Sequence, residues 1–248
     1  MRLMKRILSA AAVLALSASL LVGCSSGTAS SVPVSASSAA ESTVSSVEET
    51  ASSAVDENEA AAAQLLNDLT GSYQELWPVI LADEYKQTWL DDCTALVGED
   101  NAEAAFEKLS SMVTGDVYGE DAVKAYANGG GAYFCGFTNS LATLTFDGET
   151  STISGTDKDG NVLFSHAYHY IGMEPVRGLY EFESDDADSG EFTYFFLAPD
   201  TSAETYHIEF RYGSDAEALS QYDAGEYAYW LASGISTDCD QTLSLIHI

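Results

Sequence analysis

The second half of the chain alternates short apolar runs with turn residues, and this pattern constrains the fold most. The runs are rich in aromatic and β-branched residues, and Asp147-Gly148 and Asp159-Gly160 separate the first three. Such dipeptides favour two-residue hairpin turns. The predicted strands are Leu141 to Phe146, Thr150 to Gly155, Val162 to Ile171, Leu179 to Glu183, Phe192 to Leu197 and Thr205 to Tyr212. A meander of this length is expected to curl into an antiparallel barrel.

Ahead of the meander, apolar residues recur at the three-to-four spacing of helices. One such series runs from Leu65 to Ile80 and includes Tyr73, and the turn-forming residues Thr70-Gly71 interrupt it. A second helix is predicted over Ala102 to Met112, with Asn101 as its N-cap. After the meander, Ser214 to Glu217 has the capping-box pattern and predicts a short closing helix through Leu219. The expected fold is therefore mainly β with short helices.

The N-terminus has the features of a lipoprotein signal peptide. A basic start precedes an apolar run from Ile7 to Val22, and Gly23 stands before Cys24. A transmembrane helix is the alternative, but the run is shorter than the roughly 20 apolar residues that a bilayer needs. We therefore expect residues 1–24 to be the signal peptide, with Cys24 acylated after export. Two acyl chains on Cys24 would anchor the mature protein to the outer face of the cell membrane.

Composition divides the rest of the chain. Residues 25–60 are nearly all small, hydroxylated or acidic, and this predicts a disordered tether. One folded domain is expected over 61–235. In the tail, 236–248, the apolar residues Leu243 to Ile248 resemble translated adapter sequence, so we discount His247 as a ligand.

Charge and cysteine content exclude several classes of function. The chain has 9 Lys and Arg against 39 Asp and Glu, so it offers no basic face for nucleic acid and attracts cations instead. Cys93, Cys135 and Cys239 remain beside Cys24; a Cys93–Cys135 disulfide is permitted outside the cell, but the spacing does not demand one. No catalytic motif with a recognisable spacing can be placed, so we expect a protein that is not an enzyme.

Several short strings occur along the chain in a characteristic order: Leu69-Thr70-Gly71-Ser72-Tyr73, Trp77-Pro78, Tyr168-His169-Tyr170-Ile171-Gly172, Val176-Arg177, Tyr180-Glu181-Phe182-Glu183, Ala198-Pro199, Tyr206-His207-Ile208 and Gly213. Taken in order, these strings resemble the ZinT (YodA) family of exported metal-handling proteins. The resemblance covers about Leu65 to Ile235. It implies a calycin-like or lipocalin-like barrel with N-terminal helices.

The resemblance also implies a zinc site of three histidines, two of them in a His-x-His pair on one strand. Residues two apart on a strand share a face, so such a pair presents both imidazoles to one ion. In this chain His207 matches the second member of the pair, but Thr205 occupies the first. Phe195 or Phe196 stands where the third histidine is expected.

Other residues could complete a metal site around His207. Glu209 shares its strand face, and Glu204 lies at the start of the predicted strand. His166 and His169 are three apart, so at most one can point into the barrel. For His169 the alternative is a surface histidine, and for His207 it is a barrel-interior histidine hydrogen-bonded to Glu or Tyr.

Two functions follow as expectations. The first is a lipid-anchored extracytoplasmic protein that binds a divalent metal ion, zinc above all, and supports metal uptake through a metal ABC transporter. The second is a barrel that has lost its metal and binds a small apolar ligand, a peptide or a surface partner. The second reading depends on the replaced histidines and on aromatic residues that could line a pocket: Phe192, Tyr194, Tyr206 and Tyr212.

Overall fold

Eight antiparallel strands close into a barrel in chain order, because the first strand pairs with both the second and the last. The computed structural model describes residues 57–128, 131–198 and 207–239. The strands are β1 (Gly71–Glu75), β2 (Thr143–Asp147), β3 (Thr152–Thr156), β4 (Val162–Met173), β5 (Tyr180–Ser184), β6 (Tyr194–Leu197), β7 (His207–Gly213) and β8 (Ala232–Ser236). The expected class, an antiparallel barrel with short helices, is confirmed.

Six helices accompany the barrel within the described residues, and most of them precede β2. They are α1 (helical over 57–68), α2 (Leu76–Ile80), α3 (Lys86–Val97), α4 (Glu99–Val113), α5 (Glu120–Ala127) and α6 (Ala216–Leu219). Short 3-10 turns lie at Asp83–Tyr85 and Gly190–Phe192. Among the residues described, no helix has the length and apolar character needed to cross a membrane.

Several predicted features lie outside the described residues. They are the signal peptide with Cys24, the tether as far as residue 56, the positions Glu204, Thr205 and Tyr206, and the tail from residue 240. From Glu59 onward, the described residues belong to one compact unit. Within the described part Cys93 and Cys135 are free thiols, so no disulfide joins these two.

Aromatic side chains fill the barrel. The Phe195 ring lies 5.3 Å from the Tyr212 ring, 5.4 Å from the Tyr168 ring and 5.8 Å from the Phe164 ring. These four residues are buried, with at most 5% of their surface exposed. They come from alternate positions of β4, β6 and β7, because only every second side chain of a strand points to one face.

Two predictions about local structure are wrong. Tyr73 does not continue a helix: Gly71–Glu75 is strand β1, because its backbone pairs with β2 on one side and β8 on the other. The hairpins after β2 and β3 have loops of residues 148–151 and 157–161, longer than the two-residue turns predicted. In the second loop Asp157 Oδ1 accepts hydrogen bonds from the backbone N–H groups of Asp159 and Asn161, which stabilises the wider turn.

The helix caps also differ from those expected. Helix α4 begins at Glu99, directly after Gly98, so Asn101 lies inside its first turn. The N-cap of α6 is Asp215 rather than Ser214, and its side chain accepts a hydrogen bond from Ala218 N at 3.0 Å. A carboxylate at this position satisfies one of the free N–H groups of the first turn.

The segment between α5 and β2 crosses from the helices to the last strand. Gly115 N donates to Tyr133 O at 3.0 Å, which ties the segment to the end of α4. On its other side Ser233 N, from β8, donates to Cys135 O at 3.0 Å. The segment therefore lies between a helix end and the barrel wall, and it closes a cavity there.

Candidate functional site

His207 and Glu209 share one face of β7, as their spacing predicts. The other face carries Ile208 and Phe210, which belong to the barrel core and are at most 1% exposed. His207 and Glu209 are half-buried and lie across from Ile235 and Ser233 of β8. His207 is therefore on the outer face of the barrel, and the alternative of an interior histidine is wrong.

The interior position that a third histidine would need is part of the aromatic core. Phe195 is fully buried and contacts rings of β4 and β7. Phe196 is also fully buried, but it lies across from Glu181 on one side and Arg211 on the other, on the opposite face of β6. Neither phenylalanine can ligate a metal ion, so the three-histidine arrangement does not fit this chain.

His166 and His169 lie on opposite faces of β4, as their odd spacing predicts. His166 shares its face with the buried Phe164 and Tyr168, and its ring stacks on Phe164 at 5.9 Å. Its Nδ1 atom lies 2.6 Å from Asp186 Oδ2. The His166 side chain is 19% exposed, which places it at the rim of the barrel.

His169 lies on the outer face, between two carboxylates. Its Nδ1 atom is 2.7 Å from Asp185 Oδ1, and its Nε2 atom is 4.0 Å from Glu183 Oε2. Glu183 is directly across the ladder, because the β4–β5 register pairs these two residues. Tyr194 donates its hydroxyl hydrogen to Glu183 Oε1 at 3.1 Å and so holds the carboxylate in place.

Sequence reasoning missed Glu183, Asp185 and Asp186 as neighbours of the histidines. The predicted β4–β5 hairpin contained the relevant signal, since residues across an antiparallel ladder have Cβ atoms about 5 Å apart. The exact register was needed to use it. That register depends on a bulge between Tyr170 and Gly172, which the sequence does not specify.

The predicted ligand residues do not converge. β4 and β7 are separated by β5 and β6, so His169 and His207 are roughly three strand spacings apart along the sheet, about 14 Å. Over residues 57–128, 131–198 and 207–239, no group of three or more His, Cys, Asp or Glu side chains is placed to hold a metal ion. Pairs of one imidazole and one carboxylate do occur there, and in one of them His169 Nε2 lies 4.0 Å from Glu183 Oε2.

No protein-family model matches this chain, and no curated protein matches it. Among solved structures, the Zn(II)-bound ZinT-like domain of Streptococcus pneumoniae AdcA is 16% identical over 74% of this chain and 89% of that one, with a TM-score of 0.46. Zn(II)-bound AdcA from the same organism is 16% identical over 73% of this chain, with a TM-score of 0.45. This chain spans only 34% of that longer protein. Both TM-scores are low, so the function must be argued from the side chains of this chain.

Proposed function

We propose that the barrel binds a divalent metal ion, preferably zinc, on the outer face of the β4–β5 ladder through His169 and Glu183. The observation that carries this proposal is the position of the His169 ring between two carboxylates, 2.7 Å from Asp185 and 4.0 Å from Glu183. A zinc ion bound to one nitrogen and one oxygen at about 2.1 Å holds them about 3.4 Å apart. A side-chain rotation that moves these atoms by less than about 1 Å would therefore bring Nε2 and Glu183 Oε2 to this separation.

Asp185 would orient the ring. Metal-binding histidines usually donate their second ring N–H to a carboxylate, which fixes the tautomer and raises the basicity of the ligating nitrogen. With the Nδ1 proton directed at Asp185, Nε2 carries the lone pair, and this atom lies 4.0 Å from Glu183 Oε2. Imidazole with carboxylate suits zinc better than calcium or magnesium, which take oxygen ligands.

The surroundings favour a cation and leave it accessible. The side chains of His169 and Glu183 are 53% and 38% exposed, so an ion can reach both from solvent. The formal net charge of −30 raises the local concentration of cations around the whole chain. Two protein ligands leave the remaining coordination positions to water, so we expect weak, rapidly exchanging binding without catalysis.

In the cell, we propose, this barrel is an exported lipoprotein that holds metal ions at the outer face of the membrane and supports their uptake through a metal ABC transporter. The support is the signal-peptide pattern that ends in Cys24, the small and hydroxylated residues that predict a tether after it, and the acidic charge. Cys24→Ser should abolish incorporation of a labelled fatty acid and release the protein from membranes. Continued membrane attachment of the Cys24→Ser chain would contradict lipid anchoring.

The metal proposal is tested by titrating the purified mature protein with zinc against a chromophoric chelator. We expect His169→Ala and Glu183→Gln to weaken zinc binding at least about tenfold. His207→Ala is the matched control, since His207 lies on a different part of the outer surface, and it should leave the affinity unchanged. Absence of zinc binding in the wild-type protein would overturn the proposal, and so would a loss confined to His207→Ala.

A further inference from the structure

A cavity of about 350 Å³ lies outside the barrel, between the start of α2, the end of α4 and the segment 134–136. Its volume is at the lower end of the range for small-molecule pockets, about 300 to 1,000 Å³. Its apolar wall consists of Trp77, Pro78, Leu81, Val113 and Phe134. Among the lining residues, Glu75 is the only one with a formal charge at neutral pH.

Gly136 allows the charged and aromatic groups of this cavity to converge. A Cβ atom at position 136 would lie 2.8 Å from Glu75 Oε1 and 2.9 Å from Phe134 Cζ. Both distances are shorter than real Cβ contacts, so a side chain at position 136 would displace the end of the Glu75 side chain, the edge of the Phe134 ring, or both. With glycine at this position, both groups line the same cavity without displacement.

The Glu75 carboxylate is held in position by the backbone. Phe137 N donates to Glu75 Oε1 at 2.6 Å, a short hydrogen bond to a carboxylate oxygen. The other ionisable group of the lining is the Cys135 thiol, and burial raises its pKa to about 12. Cys135 is therefore neutral at physiological pH and does not add a second charge.

A carboxylate and two aromatic side chains in one otherwise apolar cavity are the groups that recognise ammonium compounds. Tryptophan and phenylalanine attract cations to their ring faces, and aromatic sites bind quaternary ammonium ligands. A metal ion would instead need several polar donors, whereas most of this wall is apolar. A ligand with a positive charge and an apolar body would satisfy both the carboxylate and the wall.

We infer that this cavity binds a small organic cation, a primary or quaternary ammonium compound, through Glu75 with Trp77 and Phe134. The inference does not depend on the proposed metal site, which lies on the β4–β5 ladder. The two proposals can therefore fail separately.

The test compares choline with 3,3-dimethyl-1-butanol, its neutral isostere, by calorimetric titration of the full mature protein. The two probes have nearly the same shape and differ in charge. We expect choline to bind at millimolar concentrations and the neutral isostere to bind at least about tenfold more weakly. Equal affinities for the two probes would overturn the inference, as would the absence of choline binding.

Variants locate the site. Glu75→Gln keeps an acceptor for Phe137 N and should lower choline affinity to that of the isostere. Gly136→Ala should weaken choline binding by displacing the Glu75 carboxylate or the Phe134 ring. His169→Ala should leave choline binding unchanged while weakening zinc, which distinguishes the two sites. Thermal melting of each variant verifies folding, and unchanged choline affinity in a folded Glu75→Gln protein would also overturn the inference.

Discussion

At the scale of single residues, Arg211 needs several hydrogen-bond acceptors, because it is a charged side chain that is fully buried. Its guanidinium donates to the backbone carbonyls of Leu219, Gln221 and Tyr227 and lies 4.4 Å from the Tyr222 ring centroid. Burial lowers the pKa of Arg211 to about 10, which still leaves it charged at neutral pH. The side chain thus ties the segment after α6 to the outer face of β7.

Arg211→Met should lower the free energy of unfolding by about 3 kcal/mol, because it leaves buried carbonyl groups without their donors. Urea unfolding followed by circular dichroism measures the change. Lys158→Ala is the control: the Lys158 side chain is 84% exposed, so we expect a change within about 0.5 kcal/mol. An Arg211→Met protein as stable as wild type would show that the segment is held by its apolar contacts instead.

At the scale of elements, the loop between β2 and β3 docks on the end of α1. Gly148 N donates to Thr70 Oγ1 at 3.0 Å, which links the loop to the chain just after the helix. A Cβ at position 148 would lie 2.4 Å from Asn67 Cα and 2.6 Å from Leu66 O. Backbone atoms cannot move aside as a flexible side chain can, so glycine is needed for this contact.

Gly148→Ala should therefore destabilise the protein by about 2 kcal/mol through overpacking. Gly172→Ala is the matched control, because its Cβ would meet only the Glu181 side chain, at an ordinary 3.7 Å. We expect the control to change stability by less than about 0.5 kcal/mol. Equal effects of the two substitutions in thermal unfolding would contradict the docking argument.

The cap of α6 gives a second prediction at this scale. Asp215 accepts a hydrogen bond from Ala218 N at 3.0 Å, and Leu219 at the end of the same helix is fully buried. Asp215→Ala should lower the free energy of unfolding by about 1 kcal/mol, the usual cost of losing an N-cap. Glu217→Ala, an exposed change in the same turn, should have a smaller effect in the same urea experiment. A larger loss of unfolding free energy from Glu217→Ala than from Asp215→Ala would contradict a stabilising role for the Asp215 cap.

At the scale of the whole molecule, a buried thiol and a buried tyrosine hydroxyl must stay protonated, and this makes the stability of the fold sensitive to high pH. Burial raises the pKa of the Cys135 thiol from 9.0 to about 12 and that of the Tyr73 hydroxyl from 10.0 to about 12. The unfolded chain releases these protons first, so the stability they contribute is complete below pH 9 and is lost between about pH 9 and pH 12.

Urea midpoints measured from about pH 8 to pH 11 should therefore fall once the pH exceeds about 9. Cys135→Ala removes one of the titrating groups, so the midpoint of this variant should fall less steeply with pH. Constant stability across the range would contradict the expected linkage. Tyrosinate absorbance provides an independent readout, since ionisation of Tyr73 should accompany unfolding.

The sequence by itself determined the class of this molecule. Alternating apolar residues and turn dipeptides in the second half predicted strands that agree with β2 to β7, because side chains on a strand alternate between faces. The same alternation placed His166 and His169 on opposite faces and His207 with Glu209 on one. It could not say which face is inside, and it did not identify the cavity beside Glu75.

Only the tertiary structure decided how the barrel closes and which residues meet. β1 has a locally helical pattern, and it becomes a strand because Tyr73 lies opposite Leu144 and Ser236, far away in the chain. His169 likewise meets Glu183 only through the register of one ladder. Local periodicity reports the preferences of neighbouring residues, whereas strand closure and side-chain convergence depend on backbone hydrogen bonds between distant segments.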